Sequence, residues 1–171
     1  WLSQHIEVHS VVMTGQDEYF SKGFDLNEFI NLPEKRFQEL LEKYQKLVYV
    51  MFFLPQTIIA NLQGGGVGPG LELAMGADIR LAFKENYFSF DHLKQALIPS
   101  GGGIGFSTEL IPNSFIRGWL LSPQPIDNQA LKASGFIQQP LHCHHMSFNL
   151  LVALHRYPFA HQHLHYAPER F

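Results

Sequence analysis

The pattern of apolar positions predicts five short strands. Each run contains several apolar residues, and the first is mainly β-branched and apolar, as expected for strands buried in a sheet. The predicted strands are Ile6–Met13, Thr57–Leu62, Asp78–Phe83, Tyr87–Phe90 and Phe136–Leu141. Polar or glycine-rich stretches separate these runs, so each one is expected to form an element of its own.

A different spacing predicts helices between the strands. Apolar residues recur at helical intervals from Phe37 to Val48, with Glu and Lys between them, which predicts an amphipathic helix from Pro33 to about Phe53. Asp25, followed three residues later by Glu28, fits a capping box that opens a short helix. Further helical segments are predicted from about Gly70 to Met75, at Asp91–Ile98, after Ser100–Gly103, at Ile116–Leu121, from Asp127 to Gly135 and at Ser147–Arg156. Strands that alternate with helices predict an α/β domain.

The segment Thr57–Glu72 joins a strand, a glycine loop and the start of a helix. Five glycines fall between Gly64 and Gly70, and Glu72 lies in the first helical turn. Glycines let the backbone approach a ligand closely, and the first N–H groups of a helix have no partner within it. The segment therefore predicts an anion-binding pocket. A dinucleotide site is not favoured, because the loop reads G-x-G-x-G and not G-x-G-x-x-G.

Composition and charge exclude several classes of protein. The 171 residues suit one domain, and a formal net charge of −3 argues against a nucleic-acid-binding protein. The single cysteine, Cys143, excludes an internal disulfide framework. The longest apolar run, Leu47–Leu54, is too short to span a bilayer, and no signal peptide precedes it. We therefore expect a cytoplasmic protein without a membrane partner.

The C-terminal histidines are the one candidate metal site. His142, His144 and His145 flank Cys143, and three more histidines alternate from His161 to His165. Clusters of this kind can bind zinc, but the spacing matches no closed set of four ligands. We expect no metal here, and histidines that lie in a tail or at an oligomer contact.

Three stretches, in this order, resemble the enoyl-CoA hydratase/isomerase family, the crotonase superfamily. They are VVMTGQDEYFSKGFDL, the glycine loop with LELAMGADIRLA, and FDHLKQALIPSGGG. The later stretch PNSFIRGWLLSPQPIDNQALKASGFIQQPL is also similar to the family. The resemblance implies that residues 1–171 form a single α/β domain of the ClpP/crotonase type, a spiral of β-β-α units. It also implies a homo-oligomer, a trimer or hexamer, with the helical region from about 104 to 171 contributing to assembly. Family members usually have several tens of residues before the first of these stretches, so we expect the chain to be N-terminally incomplete.

The resemblance also implies a substrate, an acyl-CoA thioester, and no cofactor other than the coenzyme A that the substrate carries. The shared chemistry is stabilisation of a thioester enolate by two backbone N–H groups. The first donor corresponds to Phe24 and the second to Pro69, which has no N–H. Three interpretations remain open: Gly68 or Gly70 donates instead, one donor suffices for a slower reaction, or the site no longer performs enolate chemistry.

Two residues are candidates for proton transfer. Glu72 matches one of the two acid/base glutamates of the hydratases, and His92 stands at the position of the other. Histidine can carry protons near neutral pH, so the two could act as a pair. Concerted hydration uses two carboxylates, however, so His92 argues against a simple hydratase. An isomerase that moves a double bond is one alternative, and the family's hydrolases, decarboxylases and dehalogenases stay open as well. The structural alternatives are a glutamate that complements the helix dipole and a histidine held by a local hydrogen bond.

The remaining site residues follow from the same resemblance. Gly70 belongs to the catalytic loop, and the predicted substrate-binding residues are Gly23, Asp25, Leu26, Asn27 and Gly68. A lysine often found at the position of Asn27 is missing, which removes one phosphate contact. Two functions follow as hypotheses. The first is an acyl-CoA enzyme, a lyase or isomerase, and the second is a catalytically impaired member of the fold that acts as a binding or assembly subunit.

Overall fold

A computed structural model describes residues 1–16, 18–83, 86–122 and 124–141 of the chain. The helix predicted at Ser147–Arg156 and the histidine cluster from His142 onward lie outside these residues. Both therefore stay predictions.

The described residues form six strands and six α-helices, with short 3₁₀ turns between some of them. The strands are β1 (Ser10–Thr14), β2 (Thr57–Asn61), β3 (Gly65–Val67), β4 (Ile79–Phe83), β5 (Tyr87–Ser89) and β6 (Gln139–Leu141). The helices are α1 (Leu26–Ile30), α2 (Glu34–Phe53), α3 (Pro69–Met75), α4 (Gly105–Leu110), α5 (Asn113–Leu121) and α6 (Asn128–Ala133). None of these helices is both long enough and apolar enough to cross a membrane.

The larger sheet is parallel throughout, with the strand order β1-β2-β4-β6. Strand β2 lies inside it, and Ile59 is opposite Val12 on one side and Ile79 on the other. Three consecutive residues of β2, Ile58–Ala60, are fully buried. A parallel strand covered on both faces needs apolar side chains in an unbroken run, which explains why this stretch carries the clearest strand pattern.

A second sheet was not predicted. Residues Gly65–Val67, which the sequence analysis assigned to a loop, form β3 and pair in parallel with β5. Glycine has no side chain to pack in a strand, so the pattern of apolar residues gives no signal here. The backbone of Tyr87 passes so close to Gly65 that no side chain fits there. The glycines of this segment thus permit strand pairing as well as the turn before α3.

Arg80 joins three parts of the fold. Its side chain is 2% exposed, and it donates from Nε to the carbonyl of Phe136 at 2.7 Å and from Nη1 to the carbonyl of Ala77 beyond α3. Its guanidinium also lies 5.1 Å from the centroid of the Phe136 ring. Burial lowers the pKa of Arg80 to about 10, and the charge of Asp78 opposes that shift. The cation is therefore satisfied mainly by carbonyl groups, which hold the end of α3 against β4 and the segment before β6.

Two predicted strands were too long. The first begins at Ser10 and not at Ile6, because residues Leu2–Gln4 form a 3₁₀ turn and the Gln56 amide donates to the carbonyl of Leu2 at 2.8 Å. Ile6 itself is 77% exposed. At the other end, only Gln139–Leu141 of the predicted strand 136–141 pairs with β4.

The helix signals were more accurate. Asp25 caps α1, since its carboxylate accepts from the N–H of Asn27 at 2.9 Å. Helix α2 begins directly after Pro33 and ends at Phe53, as predicted. Gly135 adopts a positive φ of 80° just beyond α6, as a C-terminal glycine is expected to do.

Candidate active site

Glu72 ties the start of α3 to a second glycine loop, Ser100–Gly103. Its side chain is completely buried. One carboxylate oxygen, Oε2, accepts from the N–H groups of Gly101 at 2.7 Å and Gly103 at 2.9 Å, and Oε1 accepts from Ser100 at 3.3 Å. A Cβ atom on Gly103 would lie 2.6 Å from Oε2, so only glycine allows the loop to close over the carboxylate.

His92 completes the surroundings of this carboxylate. It lies in the 3₁₀ turn Asp91–Gln95 and is 2% exposed, and its Nε2 is 2.6 Å from Oε1 of Glu72. Its other ring nitrogen, Nδ1, is buried and has no partner among the described residues. The structure thus places the two predicted acid/base residues in direct contact, while their catalytic role stays a prediction.

The two predicted oxyanion positions, Phe24 and Pro69, differ in whether the backbone has an N–H to donate. No acceptor within the described part of the chain contacts the N–H of Phe24. At the second position, Cδ of Pro69 lies 3.1 Å from where a Cβ of Gly23 would be. The proline ring therefore occupies the side of the backbone where another residue would carry its N–H.

Of the two neighbouring glycines, only Gly68 has an acceptor for its N–H among the described residues, so Gly70 stays open as the second donor. The N–H of Gly68 donates to the carbonyl of Ser89 at 2.8 Å, so Gly68 could donate to a ligand only if the loop shifted, and this alternative stays a prediction. This bond continues the pairing between β3 and β5, which the sequence analysis did not predict. Gly70 lies against the side chain of Ser21, where a Cβ would come within 2.5 Å of its Oγ.

Tyr44 is a site residue that the sequence analysis missed. It lies on α2, its ring packs against Gly101, and its hydroxyl donates to the carbonyl of Pro69. Its ring also meets the Phe24 ring edge-on, with 5.1 Å between centroids. Burial raises the pKa of Tyr44 above its ordinary value, and the charge of Glu72 raises it further. One signal was present in the sequence, because a tyrosine on the apolar face of a helix usually needs a partner for its hydroxyl.

The predicted coenzyme A-binding residues lie at the start of α1. Asp25 and Asn27 are exposed, whereas Leu26 is half-buried. The Phe24 ring stacks on Phe29 at 4.9 Å between centroids, which fixes the turn that leads into the helix. The side chain of Asn27 is exposed to a ligand, whereas the carboxylate of Asp25 is engaged as the cap of α1.

Two cavities lie beside this centre. One, of about 550 Å³, lies between α2 and the second glycine loop and is lined by Tyr49, Phe106, Gly101 and neighbouring residues. The other, of about 720 Å³, is lined by residues around Tyr19 and Lys22. Neither is lined by Phe24, Glu72 or His92. In this structure Glu72 and His92 are almost completely buried, and the hydroxyl of Tyr44 contacts the carbonyl of Pro69.

A search of the described ranges finds no group of three or more His, Cys, Asp or Glu side chains arranged to hold a metal ion. The Glu72–His92 pair has backbone N–H groups as its other neighbours, and these cannot ligate a cation. The observed contacts of the pair are hydrogen bonds.

Known proteins share this fold. An enoyl-CoA hydratase from Bacillus anthracis superposes with a TM-score of 0.83 at 22% identity, covering 91% of this chain and 60% of that one. DspI from Pseudomonas aeruginosa gives a TM-score of 0.81 at 24% identity over 91% of this chain and 62% of that chain. The fold is the crotonase fold.

The sequence comparisons define the family. The family model for enoyl-CoA hydratase/isomerase matches residues 2–149. The putative enoyl-CoA hydratase/isomerase YngF of Bacillus subtilis is 35% identical over 120 residues, which are 67% of this chain and 45% of YngF. The mitochondrial methylglutaconyl-CoA hydratase of Mus musculus is 31% identical over 71% of this chain and 39% of its own length. The chain belongs to the enoyl-CoA hydratase/isomerase family, and it spans less than half the length of these two relatives.

Proposed function

We propose that this protein binds an acyl-CoA thioester and moves a proton on the carbon chain beside the thioester carbonyl. The observation that carries the proposal is the contact between Glu72 and His92, two ionisable side chains that are almost completely buried and 2.6 Å apart. Buried ionisable pairs of this kind are typical of sites that transfer protons. Family membership supplies the substrate class.

The proposed step is enolate formation. A base takes a proton from the carbon beside the carbonyl, and the electrons of that C–H bond form a C=C bond while the carbonyl oxygen becomes negative. The N–H of Phe24, which has no acceptor among the described residues, donates to that oxygen. In a 3-enoyl thioester, return of the proton to the carbon two positions further from the carbonyl moves the double bond next to the carbonyl. The proton that the base removed is the one it returns, so no proton is gained or lost overall.

Isomerisation fits this pair better than hydration does. Hydration in the family uses two carboxylates to activate and orient water, and here the centre contains one carboxylate whose oxygens already accept from three N–H groups and contact His92. A shift of a double bond requires a base that takes a proton from one carbon and returns it to another, which one carboxylate can do with a hydrogen-bonded histidine beside it. We therefore place double-bond isomerisation first and hydration second.

Binding and turnover test the proposal separately. Calorimetric titration with crotonyl-CoA and with free CoA should show saturable binding that is stronger for the thioester. Turnover should then be measured on 3-enoyl-CoA for isomerisation and on crotonyl-CoA for hydration. We expect Glu72→Gln and His92→Gln each to lower kcat by at least ~10²-fold, the range of general acid–base catalysis. Glu109→Gln, an exposed residue on α4, is the matched control and should leave kcat unchanged. Full activity of Glu72→Gln would exclude Glu72 from the chemistry.

A second function is favoured by Pro69. The residue has no N–H at the second oxyanion position, and its ring lies against Gly23. A family member without catalysis, which acts as a binding or assembly subunit, would tolerate this change. That function predicts no turnover on any acyl-CoA and no gain from Pro69→Gly. The trimer or hexamer implied by the resemblance is also a proposal, and light scattering of the purified chain would test it.

A further inference from the structure

We propose that the hydroxyl of Tyr44 replaces the missing second oxyanion donor. This inference rests on the proposed function, because it names one more catalytic group for the same thioester. On substrate binding, the Tyr44 O–H turns from the carbonyl of Pro69 to the thioester oxygen, which the N–H of Phe24 also contacts. Tyr44 donates a hydrogen bond and keeps its proton throughout the reaction.

Three elements bring Tyr44 to the required place. Its hydroxyl is already hydrogen-bonded to Pro69, the residue whose missing N–H it would replace. Its ring is in edge contact with Phe24, the residue that carries the first donor. The second glycine loop holds the ring from the other side at Gly101, and the same loop is fastened to Glu72. The hydroxyl therefore lies at the carbonyl of Pro69, and its ring lies between the Phe24 ring and the loop that is fastened to Glu72.

Its chemistry also suits the role. The partly buried phenol, whose pKa is raised by burial and by the charge of Glu72, stays a neutral donor at every working pH. Its present acceptor is a neutral main-chain carbonyl. A hydrogen bond to a charged oxygen is roughly twice as strong as one between neutral groups. The exchange of acceptors thus stabilises the enolate more than the bound thioester, which is the condition for a catalytic effect.

The carbonyl of Pro69 does not prevent the exchange. Pro69 is the first residue of α3. A carbonyl at this position accepts a main-chain bond from the residue four places further along a regular helix. Loss of the phenol as a second donor leaves that bond in place, so the hydroxyl can turn away without leaving a buried acceptor unpaired.

A double-mutant cycle tests the inference. Tyr44→Phe removes the hydroxyl and keeps the ring, and Pro69→Ala restores an N–H while keeping a Cβ. We expect Tyr44→Phe to lower kcat by ~10²-fold with little change in KM, the effect of removing one oxyanion donor. In the Tyr44→Phe background, Pro69→Ala should recover most of the lost kcat. In the wild type, the same substitution should change kcat by less than ~10-fold, since the Tyr44 hydroxyl already donates at this position. Tyr87→Phe, whose ring is exposed on β5, is the matched control and should behave as wild type.

A spectroscopic readout separates donation from a structural role. The infrared carbonyl stretch of bound crotonyl-CoA, labelled with carbon-13 at the thioester carbon, should move to higher frequency in Tyr44→Phe and return in the double variant. A loss of activity that Pro69→Ala does not restore, with an unchanged stretch, would overturn the inference and leave Tyr44 as a packing residue. Absence of any effect in Tyr44→Phe would overturn it as well. If the wild type binds no thioester by calorimetry, the proposed function fails and the inference falls with it. If it binds the thioester without turnover, the proposed reaction fails, and the shift of the carbonyl stretch in Tyr44→Phe alone tests whether Tyr44 donates.

Discussion

Replacement of Glu72 should cost stability as well as activity, because the carboxylate holds a loop. In Glu72→Ala the N–H groups of Gly101 and Gly103 lose their acceptor in a fully buried position. Each buried donor left without a partner costs about 1–3 kcal/mol. The two together predict a loss of about 2–6 kcal/mol in the free energy of unfolding, with about 4 kcal/mol as the central value. His92 also loses its contact at Nε2.

Glu72→Gln should be milder, because glutamine keeps one acceptor. Its amide oxygen can take the place of Oε2 and accept from Gly101 and Gly103. Its NH₂ group would then face His92, whose Nε2 accepts in the other tautomer. The variant loses the negative charge and the 3.3 Å bond from Ser100, which predicts a cost of about 1–2 kcal/mol.

Urea unfolding followed by circular dichroism measures this series. The midpoint should fall in the order wild type, Glu72→Gln, Glu72→Ala, with an unchanged m-value. Glu109→Ala, on the exposed face of α4 just after the loop, should stay within about 0.5 kcal/mol of wild type. Amide exchange provides a local readout, since the Gly101 and Gly103 amides should exchange roughly 30–150-fold faster in Glu72→Ala if opening becomes easier by about 2–3 kcal/mol. Equal midpoints for Glu72→Ala and Glu109→Ala would refute the anchoring role.

Three further predictions concern single substitutions. Gly103→Ala would place a Cβ 2.6 Å from Oε2 of Glu72 and should lower stability by about 1–3 kcal/mol. In Gly118→Ala, inside α5, the new Cβ meets nothing within 4 Å, so stability should rise by about 0.5–1 kcal/mol. The urea midpoint should therefore fall in the first variant and rise in the second. Asp25→Ala removes the cap of α1 and should cost about 0.5–2 kcal/mol in the same assay, and an unchanged midpoint would contradict the cap. The raised pKa of Tyr44 means that the folded chain keeps this proton while the unfolded chain loses it, so its contribution to stability is complete below pH 10 and falls as pH rises further. Between pH 10 and 11 the unfolding free energy of Tyr44→Phe should therefore fall less steeply with pH than that of the wild type, by up to about 1.4 kcal/mol per pH unit. Parallel curves of unfolding free energy against pH for the two proteins would contradict the raised pKa of Tyr44.

The parts of the fold that burial controls were readable from the sequence. Strand β2 and helix α2 were predicted almost to the residue, because one needs an unbroken apolar run and the other an apolar stripe at helical spacing. Strand β3 was not predicted, since its residues Gly65 and Gly66 pair through backbone alone and leave no pattern of side chains. The first half of the strand expected at Ile6–Met13 failed for the opposite reason. It had the residue types of a strand, but no neighbouring strand extends to meet it.

The candidate site divides in the same way. The contact between Glu72 and His92 was expected because a family resemblance set both positions, although residues 20 apart along the chain carry no local signal of proximity. The three N–H groups that hold Glu72 could not be predicted, because they come from backbone whose course depends on the packed loop. Tyr44 belongs to the apolar spacing that predicts α2, and in the structure its hydroxyl donates to the carbonyl of Pro69. A pattern of apolar spacing identifies the buried face of a helix, but it does not tell which buried polar group meets which partner.

These contacts make the effects of Glu72 and Tyr44 on turnover interdependent. Glu72 fastens the loop at Gly101, and Gly101 supports the Tyr44 ring, so a change at Glu72 that loosens the loop also disturbs the proposed donor. A loss of turnover in Glu72→Ala therefore does not by itself assign a proton-transfer role to the carboxylate. The infrared stretch of the bound thioester distinguishes the two causes. A variant that has lost only proton transfer keeps the wild-type frequency, whereas a variant with a displaced Tyr44 shifts towards the frequency of Tyr44→Phe. Because Glu72→Gln keeps an acceptor for the loop, we expect it to keep the wild-type frequency. Glu72→Ala should shift towards the frequency of Tyr44→Phe. A shift in Glu72→Gln without one in Glu72→Ala would mean that the loop and Tyr44 are not linked.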